Sequence, residues 1–270
     1  MSRLAIIAGQ GALPGAVAAA QAERPLICAL DGFVPGAVVV DQVFRVERLI
    51  PFIRSLLAAG IGRVVFAGAA HRPRLDPALF DPLTVQLLPR MMAAMQGGDD
   101  QTLRFVVDLF GEEGLEVLGV PDVAPALVPA AGVLAGAVAG VDDRDASRAA
   151  AIVAALGTVD VGQAAVVQQG MCLAAEALPG TDAMLGGVAT LPATLRPDPA
   201  RGRGLLYKAP KPGQDLRTDL PTLGPETVAG VAAAGLGGIA WQAGGVICLD
   251  LPAMVAGART HGLFLWARGP

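Results

Sequence analysis

Seventeen residues, KAPKPGQDLRTDLPTLG from Lys208 to Gly224, concentrate the side chains able to do chemistry in a chain of which only 16% is charged. Lys208, Lys211, Asp215, Arg217 and Asp219 fall within twelve positions, interleaved with Pro210, Pro212 and Gly213 and followed by Pro221 and Gly224. The prolines and Gly213 exclude a regular core element over this stretch. Cations beside carboxylates on a Pro-braced loop suit an anionic, phosphorylated ligand, with the carboxylates left to hold a metal or handle a proton. A solvated connection is the other use of such a segment.

Four further motifs carry polar groups at element ends. In GQGALP, Gly9 and Gly11 lie between a strand and a helix, where backbone amides of Gly11, Ala12 and Leu13 can approach a phosphate. Pro14 replaces the third glycine of a dinucleotide fingerprint, and Asp31 stands where a ribose-binding carboxylate would. AGAAHRP places His71 and Arg72 after the third strand pattern, with Arg72 suited to bidentate phosphate contact. GDDQTLR opens a helix with Asp99 and Asp100, which serve as caps or as ligand contacts. EALPGTDAM offers Thr181 and Asp182 on a polar turn, either as caps or as partners for an anion and its metal. No HxH, HExxH, EF-hand, GxSxG or Walker A spacing occurs.

These motifs need elements to present them, and 270 residues predict two domains, 1–130 and 131–270. The first 120 residues alternate strand and helix patterns: LAIIAG, a helix over 13–22, PLICAL, a helix over 49–59 and RVVFAG, then helices over 83–95 and 99–113. Short βα turns predict a Rossmann-like parallel sheet. The second half reads as another α/β unit, with a helix over 143–156, two strands around Gly170, a helix from Thr181, and the strand LLYKA entering the charged loop. Alternating strands, helices and strands complete it from Glu226 to Trp266. The fold class is therefore two α/β domains, with a ligand site expected between them.

Hydrophobic residues make up 53% but aromatics only 4%, so Ala, Val and Leu must build the interior. A net charge of −4 without any Lys/Arg run excludes a nucleic-acid partner. Cys28, Cys172 and Cys248 are isolated in apolar segments and read as buried thiols of a reducing compartment. The start MSRLAIIAG lacks the layout of a signal peptide. Residues 123–141 carry no charge, yet Pro125, Pro129 and repeated glycines predict an interdomain segment rather than a membrane span. The expected localisation is cytoplasmic.

Taken in order, IAGQGALP, FAGAAHRP, GDDQTLR, DVGQAAVVQQG, EALPGTDAM and KAPKPGQDLRTDLPTLG resemble the successive motifs of the LpxI-type UDP-2,3-diacylglucosamine pyrophosphatases over essentially the whole chain. The resemblance implies a magnesium-dependent cytoplasmic step of lipid A biosynthesis, with manganese as the alternative metal. Water would cleave the diphosphate of UDP-2,3-diacylglucosamine to give UMP and 2,3-diacylglucosamine 1-phosphate. It also implies that Asp219, the acidic residue of DLPT, is essential. Asp182 accompanies it as a second catalytic or metal-binding carboxylate. Beside the residues already named, Gln163, Lys208, Lys211, Gln214, Arg217 and Thr222 are expected to contact substrate. The chain departs from the family pattern at Pro179, where EGTD is usual, and at Gly186 and Gly187, where basic residues are expected.

A lipid substrate implies transient peripheral contact with the inner membrane surface, and a homodimer is open. Met91, Met92 and Met95 are candidates for an acyl groove, or for ordinary core packing. Two other classes compete: a non-catalytic sugar-nucleotide sensor, and an NAD(P)-dependent oxidoreductase using GQGALP and Asp31.

Overall fold

A computed structural model describes residues 2–36, 38–70, 73–96 and 99–269, with the backbone alone for Asp99 and Asp100. The chain forms two compact units, Met1–Pro125 with Asp215–Asp219, and Ala126–Gln214 with Leu220–Pro270. Five residues of the charged loop thus pack with the first unit, while the residues on either side belong to the second.

The first unit contains β1 (Arg3–Ala8), α1 (Leu13–Ala19), β2 (Leu26–Leu30), β3 (Gln42–Phe44), α2 (Leu49–Ala58) and β4 (Ile61–Ala67). It continues with α3 (Leu88–Gln96), α4 (Asp99–Glu112), β5 (Glu116–Leu118) and α5 (Val120–Val123). Its five strands are all parallel, in the order β3-β2-β1-β4-β5. β1 is apolar over Leu4 to Ala8 because, as the central strand of a parallel sheet, it is buried on both faces. On one face Ile53, Leu56, Phe110 and Val64 are almost fully buried, each contributing about 1.5–3 kcal/mol. The short strands β3 and β5, three residues each, escape sequence reading because periodicity needs a longer window.

The second unit contains β6 (Gly132–Ala135), α6 (Gly140–Thr158), β7 (Ala164–Gln168), β8 (Met171–Ala175), α7 (Gly180–Ala189) and β9 (Leu205–Lys208). After the charged loop come β10 (Thr222–Leu223), α8 (Pro225–Ala233), β11 (Gly238–Gln242), β12 (Ile247–Cys248), α9 (Leu251–Thr260) and β13 (Phe264–Arg268). Six strands form a mixed sheet, β6-β13-β11-β9-β7-β8, while β10 and β12 pair in a parallel ribbon.

Within residues 123–141, β6 pairs antiparallel with β13, so a Gly/Ala-rich run becomes an edge strand. Among the described residues no helix is long and apolar enough to cross a membrane.

β7 and β8 form a hairpin whose turn, Gln169 and Gly170, has φ of 51° and 79°. Asp145 of α6 holds that turn, accepting from the amides of Gln169 at 2.8 Å and Gly170 at 2.7 Å. β9 lies between β7 and β11, so Lys208 is in register with Ala164 on one side and Trp241 on the other. Alternation along β9 sends Leu206 into the apolar layer shared with Trp241 and the helices α7, α8 and α9, and Leu205 and Tyr207 into the layer under α6. Lys208 shares the Leu206 side, towards the first turn of α7.

Candidate functional site

The end of β9 carries the charge of Lys208 into a place where charge is costly. Lys208 is 7% exposed, and its Nζ donates to Thr181 Oγ1 at 2.8 Å and to the Thr222 carbonyl at 3.3 Å. Thr181 in turn donates its hydroxyl proton to Glu176 Oε1. Glu176 is also 7% exposed, its Oε1 lies 3.9 Å from Lys208 Nζ, and its Oε2 accepts from the Gln163 amide at 2.9 Å. A buried charge persists only where paired and hydrogen-bonded, and both conditions are met for this pair.

The network joins DVGQ, EALPGTD, the first lysine of KAPK and the threonine of DLPT. Of the expected site residues it unites Gln163, Thr181, Lys208 and Thr222. Glu176, between them, escapes sequence reading because its partners lie 5, 13 and 32 positions away in the chain. Among the described residues the buried Oε1 of Gln163 has no hydrogen-bond partner, which leaves an acceptor able to take a ligand hydroxyl or N–H.

Thr181 and Asp182 do not cap α7. Pro179 occupies the cap position and has no side-chain acceptor, while the Thr181 hydroxyl, inside the first turn, is engaged by Glu176 and Lys208. Asp182 sits exposed in the first helical turn, where a carboxylate suits the positive end of the helix dipole.

The remaining loop cations are paired. Lys211 Nζ binds the Asp160 carboxylate, and its amide donates to Gln214 Oε1 at 2.9 Å, which closes the turn at Gly213. Arg217 meets Asp215 through several hydrogen bonds, the shortest at 2.6 Å. The Arg217 guanidinium beside Asp215 holds its carboxyl below the ordinary range, against the opposing effect of burial. Asp215 is thus the ion-pair partner of Arg217. Asp219 is half-buried, and its amide reaches back to the Asp215 carbonyl at 3.4 Å.

In the first unit, the turns after β1 and β4 are zipped together. Gly9 donates to the Ala67 carbonyl at 2.8 Å, and Gln10 and Ala69 exchange hydrogen bonds at 2.7 and 2.9 Å. The approach is so close that a Cβ on Gly9 would lie 2.4 Å from the Ala69 carbonyl oxygen. The Gly9 amide is therefore engaged, and the turn offers Gly11, at φ 93°, with Ala12 and Leu13 leading into α1. Arg72, with His71, lies outside the described residues, as do the side chains of Asp99 and Asp100.

Asp31 forms an ion pair with Arg45 at 2.7 Å beside a cavity of about 300 Å³ lined by Leu30, Phe33, Glu47 and Arg74. With Asp31 neutralised and the Gly9 amide engaged, both features that suggested a dinucleotide have other partners. Met91 belongs to the core, Met95 packs against it, and Met92 is exposed. Cys28 and Cys248 are buried as expected, but Cys172 is exposed on the edge strand β8, which corrects the expectation for that residue.

Among the described residues no group of three or more His, Cys, Asp or Glu side chains converges on a metal position. The usual mode of magnesium, where one or two carboxylates share the ion with substrate phosphates and water, needs no such group.

Comparison with known proteins spans the whole chain. Residues 3–127 match the family model of the LpxI N-terminal domain, and residues 130–266 that of the LpxI C-terminal domain. The chain is 37% identical over 282 aligned positions to the UDP-2,3-diacylglucosamine pyrophosphatase LpxI of Caulobacter vibrioides, covering 100% of this chain and 99% of the relative.

Proposed function

The chain belongs to the LpxI family, and from that premise we propose that it hydrolyses the diphosphate of UDP-2,3-diacylglucosamine, releasing UMP and 2,3-diacylglucosamine 1-phosphate in lipid A biosynthesis. It is a hydrolase acting on a phosphoric anhydride. The observation that carries the reading is the full-length match to a curated enzyme of this activity, joined to a buried lysine held at the meeting point of the most specific motifs.

Water must attack one phosphorus of an anionic diphosphate and break the P–O–P bond, so charge on the phosphoryl oxygens has to be neutralised and the nucleophile aligned. Lys208 supplies a positive charge in surroundings of low polarity, where it acts more strongly than in water. Asp219, three residues before Thr222 in the chain, orients the attacking water or takes its proton. Asp219 and Asp182 are also the residues that would hold magnesium or manganese, which when bound supplies further neutralisation of the phosphoryl oxygens. Gln163 Oε1 accepts from a sugar or base donor of the substrate. Lys211 and Arg217 contribute once phosphate competes with Asp160 and Asp215 for them. The acyl chains of the substrate bring the protein into transient contact with the inner membrane surface.

The test is release of UMP from UDP-2,3-diacylglucosamine by the purified protein, followed by chromatography with magnesium and, separately, manganese. Absence of UMP with both ions overturns the reading. Binding of the intact substrate without turnover would instead identify a sensor.

A further inference from the structure

Glu176 is a buried carboxylate whose main chain and side chain are both fixed. Its amide donates to the Ala164 carbonyl at 2.9 Å, and Gly162 packs so closely that a Cβ there would lie 2.1 Å from the Glu176 carbonyl oxygen. Removing a carboxylate from water is costly unless its charge is paired and hydrogen-bonded. A packed neutral side chain would avoid that cost, so shape alone does not account for the charge.

Hydrogen-bond direction does. The Thr181 hydroxyl has one proton, and giving it to Glu176 turns the oxygen lone pairs towards Lys208 Nζ at 2.8 Å. A glutamine at 176 would have only one carbonyl oxygen for two donors, the Thr181 hydroxyl and the Gln163 amide. Its NH2 group would then face one of them, donor against donor or with the hydroxyl reversed. The charge compensation at 3.9 Å from Lys208 would vanish as well.

We infer that Glu176 is a positioning residue of the hydrolytic reaction: through Thr181 it aims the Lys208 ammonium and compensates its charge at the end of β9. This rests on the proposed role of Lys208 at the diphosphate. Glu176 touches no substrate in this assignment and acts only through Thr181 and Lys208.

The experiment combines lysine labelling with a double-mutant cycle. The chain has two lysines, Lys208 and Lys211, so reductive methylation read by peptide mass spectrometry resolves each. In the wild type Lys208 methylates slowly; in Glu176→Gln and Thr181→Val it methylates about tenfold faster, with Lys211 unchanged. Glu176→Gln lowers kcat about 10–100-fold with a smaller change in KM. Combined with Lys208→Met it adds little further loss, because the residue it positions is already gone. Thr181→Val reproduces the Glu176→Gln defect and Thr181→Ser recovers turnover relative to it.

Unchanged Lys208 labelling in both variants overturns the inference, as do losses that multiply in the double variant. If Glu176→Gln does not fold, Thr181→Val against Thr181→Ser gives the same decision. A wild-type protein that releases no UMP overturns the underlying reading, and labelling separates that failure from a failure of Glu176 to hold Lys208.

Discussion

Lys208 Nζ lies 2.8 Å from Thr181 Oγ1, a hydrogen bond that ties the end of β9 to the first turn of α7 across 27 residues of chain. A compact ammonium meets the threonine hydroxyl, the Thr222 carbonyl and the Glu176 carboxylate from one point; a planar guanidinium directs its donors differently. Lys208→Arg, which preserves charge, is therefore expected to lower kcat by about 10²-fold. Steady-state kinetics on the folded variant check this, and near-normal turnover would remove the geometry of Lys208 from the mechanism.

Asp219→Ala is expected to lower turnover by roughly 10²- to 10⁴-fold. Its half-buried position makes the fold tolerant of the change, so the thermal midpoint and substrate binding should persist. UMP release, circular dichroism and binding to the inactive variant separate chemistry from folding.

Two glycines give opposite expectations. Gly162→Ala drives a methyl group against the Glu176 backbone, with the nearest atom at 2.1 Å, and should destabilise by about 1–3 kcal/mol while disturbing the Lys208 network. Gly187→Ala, inside α7 with nothing within 4 Å of its added Cβ, should stabilise by about 0.4–1 kcal/mol. Calorimetry on the two variants tests the sign of each.

Acid should weaken the first unit through Glu47 and Asp81, which are 2% and 8% exposed. Burial opposes ionisation of Glu47, but the Asp76 amide and Arg45 outweigh it and hold its carboxyl below the ordinary range. At Asp81, burial is likewise outweighed by Thr84, the Leu83 and Thr84 amides and the charge of Arg48. Because these folded pKa values lie below the unfolded ones, their stabilisation is present above about pH 4 and lost as pH falls through the folded values. Thermal midpoints measured between about pH 6 and pH 2 should drop in that window, and less so in Glu47→Gln.

Thiol reactivity should divide the cysteines. Burial, assisted at Cys28 by the charge of Asp41, pushes Cys28 up to about 12, and burial does the same for Cys248. Only the exposed Cys172 should react promptly with a thiol-exchange reagent in the native protein, with the other two following on unfolding. Three prompt equivalents would contradict the packing of β2 and β12.

The sequence by itself determined the long elements and the places where chemistry could occur. β1, β9, β11 and the helices α2, α6 and α8 were legible because their apolar periods and bounding Gly, Pro and Asp residues are local signals. The loop from Lys208 to Gly224 and the GTD turn were legible as concentrations of charge and turn residues, and their order carried the family resemblance. Only the tertiary structure decided what those charges do. Lys211 is committed to Asp160, Arg217 to Asp215, and Lys208 to a buried network with Thr181 and Glu176. Ion pairs and hydrogen bonds are set by distances between residues tens of positions apart, and burial decides how strongly each charge acts. Neither quantity has a local period to read. Thr181 therefore looks like a helix cap in the sequence and acts in the fold as the link between a carboxylate and a lysine.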